Sequence, residues 1–195
     1  QAVNAPEQPV GVIGLGIMGS AMSANLVKAG FAVTGYDPVP ACRSAFARAG
    51  GRAVRSAADV AKRAEIIITS LPSSEALADA SAELARTGRR GQIVIETSTL
   101  PIDVKQAARK LLAARGITLL DCPLSGTGAQ ARTKDLVVFA SGERAAYRKC
   151  TAVFEGFARA HFLVGPFGDG SKMKFVANLL VAIHNVAAAE AIVLG

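Results

Sequence analysis

Lys174 and Asn178 stand four residues apart in the run Gly168-Asp-Gly170-Ser-Lys-Met-Lys174-Phe-Val-Ala-Asn178. On a helix, positions i and i+4 share a face, so the two side chains project together. Asn185, eleven residues past Lys174, lies near the same stripe. A cation is costly to bury on an otherwise apolar helix face, which predicts a pKa depressed toward the range useful for proton transfer. Taken alone, the pattern also describes a lysine that snorkels from the start of a helix, and Lys172 reads that way. The segment Asp121-Cys-Pro-Leu-Ser125-Gly126-Thr127-Gly128 is a second candidate, a glycine-flanked turn at the end of an apolar run. Its consecutive backbone N–H groups and two hydroxyls can hold a carboxylate. An ordinary strand-to-loop turn fits it equally well. With only two histidines, His161 and His184, 23 residues apart, a Ser-His-Asp hydrolase has little to draw on.

A third candidate binds rather than reacts. Gly14, Gly16 and Gly19 follow the apolar run 10–13 in the spacing G-x-G-x-x-G, with Leu15, Ile17 and Met18 between them. Met18, Met22, Leu26 and Val27 then recur at helical intervals as far as Gly30. Strand, glycine turn and helix are the setting of a dinucleotide fingerprint. There Gly14 permits the tight turn, Gly16 lets backbone N–H groups approach a pyrophosphate, and Gly19 lets the helix pack on the strand. The diphosphate meets free N–H donors and the positive end of the helix dipole. The glycines alone also describe a mere structural turn, and the next segment adds weight. Residues 31–36 read as a second strand ending at Asp37, which lies 18 residues past Gly19 and 23 past Gly14. That is close to the ~20 expected of an acid bonding the adenosine ribose hydroxyls. An acid there repels a 2′-phosphate and favours NAD over NADP. Arg43, six residues on, could soften that repulsion, but is expected to point from the next helix into water.

The elements that must hold these groups alternate along the chain. A helix is expected over 39–49, and Ser56 caps a short one running to 64. A buried strand at 65–70 leads into the Leu71-Pro72 loop, after which Ser73 or Ser74 caps a helix to about 86. A strand at 92–96 is followed by 97–99, and Pro101 suits the first turn of a helix running to 115. Strands at 117–120, 136–140 and 161–164, a helix at 144–157 and a long helix from about Ser171 complete the pattern. Such alternation gives an α/β fold, a Rossmann-like, doubly wound and mainly parallel sheet with helices on both faces. Ligands bind outside the carboxyl ends of its strands, so the loops at Gly14, Asp37, Leu71-Pro72 and Thr99 should converge on one crevice.

Composition narrows the classes. The net charge of +7 is spread along predicted helices, which suits an anionic ligand such as a carboxylate or diphosphate rather than nucleic acid. The three cysteines are far apart and lack a C-x-x-C pattern. That argues against a metal or disulfide framework and makes a reducing cytoplasm the default. Residues 1–9 have neither a basic nor an apolar region and read as a disordered lead-in, not a secretory signal. The apolar stretch 175–194 carries Asn178, His184, Asn185 and Glu190, which argues for a buried helix rather than a membrane span.

In this order the motifs resemble the β-hydroxyacid dehydrogenase family, the group around 3-hydroxyisobutyrate dehydrogenase and tartronate semialdehyde reductase. The matching residues are Gly14-Leu-Gly-Ile-Met-Gly19 with Asn25-Leu-Val-Lys-Ala-Gly30, Leu71-Pro72, Ser98-Thr99, Asp121-x-Pro-Leu-Ser125-Gly126 and Gly168-x-Gly170-x-x-x-Lys174-x-x-x-Asn178. They cover nearly the whole chain from Val10. The resemblance implies hydride transfer between nicotinamide and the carbonyl carbon of a short 3-oxo acid or semialdehyde. Lys174 would be the general acid in reduction and the base in oxidation, and Asn178 would hold the lysine and the substrate oxygen. Ser125, Gly126 and Thr127 would grip the carboxylate. Gly14, Leu15, Gly16, Ile17, Met18, Gly19 and Asp37 would hold the cofactor, with Leu71, Pro72 and Thr99 along its nicotinamide side.

Three departures stand out. Thr127 replaces a second glycine common in the family, Lys134 replaces a glycine in the following turn, and members continue past the position of Gly195 into an all-helical domain. The resemblance thus divides the chain into an NAD-binding domain at 9–167 and, at 168–195, the beginning of the helix leading into that domain. It also implies a homodimer or homotetramer built through the helical part. Alone, the long helix would expose an apolar stripe that further residues or another subunit must cover. Imine reductases share the architecture but generally lack the lysine. A non-catalytic dinucleotide-binding or dimerisation module on the same fold is the other reading, and it would be expected to lack Lys174 or the Ser-Gly turn.

Overall fold

The computed structural model describes residues 9–195. The expected lead-in therefore falls almost wholly outside the described residues. In chain order the first half consists of β1 (Val10–Ile13), α1 (Ile17–Lys28), β2 (Val33–Tyr36), α2 (Pro40–Arg48), β3 (Arg52–Ala53), α3 (Ala57–Ala61), β4 (Ile66–Thr69) and α4 (Ser74–Thr87). The second half consists of β5 (Ile93–Glu96), α5 (Ile102–Ala113), β6 (Thr118–Asp121), β7 (Leu124–Ser125), α6 (Gly128–Arg132), β8 (Val137–Ser141), α7 (Arg144–Phe157), β9 (Ala160–Gly165) and α8 (Asp169–Leu194).

The short apolar runs become central strands because helices cover both of their faces. β1, β4 and β5 are buried along their whole length. Side chains alternate between the two faces of a strand. Val10, Val12, Ile66, Ile68, Ile93 and Ile95 accordingly pack in one core with Met22, Leu26, Phe154 and Phe157 of α1 and α7. Ile13, Ile67 and Val94 pack in the other with Val60, Leu77, Leu84 and Leu112 of α3, α4 and α5. Serine hydroxyls start two of those helices. Ser56 Oγ accepts from Asp59 N at 3.1 Å and Ser73 Oγ from Ala76 N at 3.2 Å.

The strand order is β3-β2-β1-β4-β5-β6-β8-β7, with β9 beside β8. The first six strands are parallel, while β8 runs antiparallel to β6 and β7 and parallel to β9. The mainly parallel, doubly wound sheet expected from the alternation is therefore present. Strand order reverses between β1 and β4, which opens a crevice at their carboxyl ends.

Several details differ from expectation. β3, β7 and α6 are too short to leave a periodic signal, and α3 ends at Ala61 rather than at 64. Arg43 does not reach into water: its guanidinium turns back to donate to the carbonyls of Asp37 at 2.6 Å and Pro38 at 3.0 Å. In α8 the reading of 175–194 as a buried helix does not hold, while the expectation that the helix alone exposes an apolar stripe does. Beyond Ser171 its apolar side chains stand in solvent, with Val186 63% and Ile192 79% exposed. No other element among the described residues covers them. By length and composition alone, α8 is long and apolar enough to cross a membrane.

Candidate functional site

The glycine loop between β1 and α1 shows what each glycine is for. Gly14 has φ +91°, a left-handed backbone, and a Cβ there would overlap the carbonyl oxygen of Ser70. At Gly19 a Cβ would overlap the carbonyl oxygen of Gly14, so that glycine lets α1 settle on the loop. Gly16 is different, because a Cβ there would meet nothing within 4 Å. No neighbouring group of the protein requires a glycine there. α1 begins at Gly16 with no side-chain cap and no acid in its first turn, which leaves N–H donors and a positive dipole end for an anion.

Asp37 closes this cradle from the end of β2. It is buried, and its Oδ2 accepts from Leu15 N at 2.8 Å while Oδ1 accepts from Val39 N at 2.8 Å. The carboxylate thus braces the glycine loop, and each oxygen retains acceptor capacity for a hydroxyl. These residues have the chemistry a dinucleotide needs, free N–H donors at the uncapped helix end and carboxylate acceptors at Asp37.

Beside the cradle, the strand ends of β4 and β5 and the start of α8 enclose a cleft of about 230 Å³. Its walls include Met18, Leu71, Thr99, Gly126 and Lys174, together with Ser70, Thr97, Ser98 and Leu124. Residues far apart in the chain, from the nucleotide loop to the helix lysine, therefore meet at one place. Lys174 is partly buried, and the loss of water around its ammonium lowers its pKa below the ordinary lysine value.

Four other candidates are not part of that lining. Pro72 is exposed beside Leu71. Ser125 ends β7, and its hydroxyl has no hydrogen-bond partner among the described residues. Thr127 is engaged in capping α6: its hydroxyl accepts from Gln130 N at 3.3 Å and its N–H donates to Gln130 Oε1 at 2.9 Å. Those groups are already used, which the reading of 125–128 as an open anion turn did not foresee. Asn178 is exposed one turn beyond Lys174, with no hydrogen bond to it. Lys172 pairs with Asp169 at 2.9 Å on the surface.

Beneath the cleft lies a group that sequence reasoning missed. Lys105 of α5 is wholly buried, with Nζ 2.7 Å from Glu96 Oε2 and 2.8 Å from Asp121 Oδ1. It also donates to the carbonyl of Ser98 at 2.6 Å. Burial alone would lower its pKa, but Glu96 and Asp121 outweigh that and hold the ammonium above its usual range. At Glu96 burial dominates and raises the carboxyl pKa, against the opposing pull of Lys105 and Ser98. The available signal was the pair of acids ending two buried strands, which demand a countercharge that neither strand carries.

Residues 9–165 match the family model described as the NAD binding domain of 6-phosphogluconate dehydrogenase. The chain belongs to that family. The matched span includes the loop at Gly16 and the strand end at Asp37. Over 190 residues the chain is 34% identical to the L-threonate dehydrogenase of Cupriavidus necator, covering 95% of this chain and 64% of that enzyme. It is 36% identical to the NAD-dependent L-serine dehydrogenase of Pseudomonas aeruginosa, covering 95% and 63% respectively. The Mycobacterium tuberculosis 3-hydroxyisobutyrate dehydrogenase, solved with L-serine, superimposes with a TM-score of 0.93 at 32% identity, over 96% of this chain and 64% of that one. The chain thus spans somewhat under two thirds of the length of these relatives.

Proposed function

We propose that this chain is the cofactor-binding and proton-transferring part of an NAD-dependent dehydrogenase or reductase. Its substrate is a short 3-hydroxy acid, or in reverse the corresponding semialdehyde or 3-oxo acid. NAD, when bound, takes or supplies the hydride. The residues that hold it are the loop from Gly14 to Gly19, with Leu15, Ile17 and Met18 between the glycines, and Asp37. Leu71, Pro72 and Thr99 stand on the nicotinamide side.

The observation carrying this reading is that Lys174 shares one small cleft with Met18, Leu71 and Thr99. A side-chain amine with a lowered pKa can give a proton to a developing alkoxide in reduction and remove one from a hydroxyl in oxidation. Asn178 then orients the amine or the substrate oxygen once a ligand lies between them. The free hydroxyl of Ser125 and the backbone N–H of Gly126 receive the carboxylate, and Thr127 joins them by exchanging its N–H bond to Gln130 for the ligand. Asp37 disfavours a 2′-phosphate, so NAD is preferred to NADP. The free thiols of Cys42, Cys122 and Cys150 suit a reducing compartment, the cytoplasm in our reading.

The test is a steady-state screen of the full-length protein against small 3-hydroxy acids, with NAD and NADP in parallel. Lys174→Ala is expected to abolish turnover while NADH binding, followed by fluorescence, stays nearly intact. Retention of most activity in that variant overturns the assignment. The exposed apolar residues of α8, Leu179, Val186 and Ile192 among them, favour assembly through this helix as a homodimer or homotetramer. They also keep a second reading in view, a non-catalytic dinucleotide-binding or dimerisation module. NADH binding without turnover of any substrate supports that second reading.

A further inference from the structure

The buried ammonium of Lys105 touches both walls of the cleft through short chains of hydrogen bonds. On one side it meets Glu96 and the carbonyl of Ser98. Glu96 Oε1 accepts from Ser98 N at 2.9 Å, and Ser98 Oγ accepts from Leu71 N at 2.9 Å. Those bonds fix the loops that carry Leu71 and Thr99. On the other side it meets Asp121 Oδ1. The same carboxylate accepts from Ser171 N at 2.8 Å and from Ser171 Oγ at 2.8 Å, while its Oδ2 also takes the Ser141 hydroxyl at 3.1 Å. Ser171 lies one helical turn before Lys174, so whatever seats Ser171 seats the lysine.

The Lys105 ammonium donates to the Ser98 carbonyl and to Asp121 Oδ1 and lies 2.7 Å from Glu96 Oε2 as an ion pair. These contacts tie the end of β5 to the end of β6 and the start of α8. We propose that Lys105 is a positioning residue for Lys174: by binding Ser98 and Asp121 at once, it sets the gap between the cofactor-side loops and the amine across the cleft. This inference rests on the assignment of Lys174 as the proton-transfer group. A buried ion pair is weak evidence for stability, because neutral packing of similar volume often replaces it without loss. Positional control explains why a full charge is kept under the cleft. A displacement of about 1 Å at a catalytic group costs on the order of 100-fold in rate, so a rigid three-way junction has a function that apolar packing lacks.

The test uses a double variant, Glu96→Gln with Lys105→Met, which removes one positive and one negative charge and leaves the local net charge unchanged. The first readout is the titration of Lys174, followed by NMR of 13C-methylated lysine amines and assigned with Lys174→Arg. It needs neither cofactor nor substrate. The expected result is a shift of the Lys174 midpoint upward, toward the ordinary value of 10.5, as the first turn of α8 loosens into solvent. The second readout is kinetic: kcat falls on the order of 10- to 100-fold while the NADH dissociation constant stays within about threefold. A well-folded double variant with an unmoved Lys174 titration overturns the proposal and leaves the triad a purely structural element.

If the double variant does not fold, Ser171→Ala removes the hydroxyl link alone and is expected to shift Lys174 in the same direction by a smaller amount. No shift there also overturns the proposal. Failure of the wild-type protein to turn over any hydroxy acid defeats the proposed function but leaves the NMR titration able to decide the positioning role.

Discussion

Gly16 and Gly19 make a paired prediction, because the same substitution should act through binding at one position and through folding at the other. Gly16 has φ −67° and ψ −161°, a conformation open to alanine, and its Cβ would meet no protein atom within 4 Å. Alanine there gains roughly 0.4–1 kcal/mol from a stiffer unfolded chain and loses about as much as a poorer helix cap. Gly16→Ala should therefore leave stability within about 1 kcal/mol of wild type, or ~2–4 °C in Tm for a chain of this size. The methyl group occupies the approach to the free N–H groups of α1, so NADH binding should weaken at least about tenfold, or ~1.4 kcal/mol. Gly19→Ala is the converse. Its Cβ overlaps the Gly14 carbonyl, and overpacking of that kind costs roughly 1–3 kcal/mol, a fall of about 2–12 °C. Thermal denaturation and NADH fluorescence titration on the two variants decide the matter. Gly16→Ala binding NADH within about threefold of wild type, or both variants melting together, would refute the division of labour.

The lowered pKa of Lys174 sets the sign of the pH profiles. Carbonyl reduction needs the ammonium, so its rate should fall as pH rises through the depressed value, while oxidation needs the free amine and should rise through it. Flat profiles in both directions would remove Lys174 from the proton transfer. The raised pKa of Lys105 contributes stability that is complete below 10.5 and lost as pH climbs through the higher folded value. Glu96, whose carboxyl pKa is also raised, acts oppositely and opposes folding above about pH 4.5. Melting temperature against pH should show the alkaline loss in wild type, and the Glu96→Gln, Lys105→Met double variant should lack it. Burial pushes the Cys150 thiol up to about 12 and Cys122 well above its usual value. Mass spectrometry after alkylation at pH 8 should find Cys42 modified and both buried thiols untouched.

What the chain disclosed in advance depended on the range of the interaction. β1, β4 and β5 were legible because burial on both faces demands unbroken apolar runs, and the Gly14–Gly19 loop because Gly14 and Gly19 answer local constraints at a fixed spacing. The function of Asp37 was visible only in part: its distance from the glycines pointed to the ribose, whereas its bonds to Leu15 and Val39 required the folded loop. Thr127 looked like an anion ligand by composition. Gln130, three residues on, makes it a helix cap, and that capping box could have been read from the spacing. Lys105 was the most remote from local signals. It sits on a helix among other basic residues, and only the register of β5 beside β6 brings Glu96 and Asp121 to the same ammonium.

The same reasoning explains why α8 can serve the site while most of it stands in solvent. The helix is anchored at its first turn, where Ser171 is buried and bonded to Asp121, and Lys174 falls where the anchored turn passes into the exposed stretch. A lysine placed there is partly desolvated by the cleft alone, which already lowers its pKa. A surface laid along the first turns of α8, next to Lys174, would take further water from that amine, and desolvation acts on an ammonium in one direction only. Under the role proposed for Lys174, covering the first turns of the helix and lowering the lysine pKa are therefore one event in physical terms.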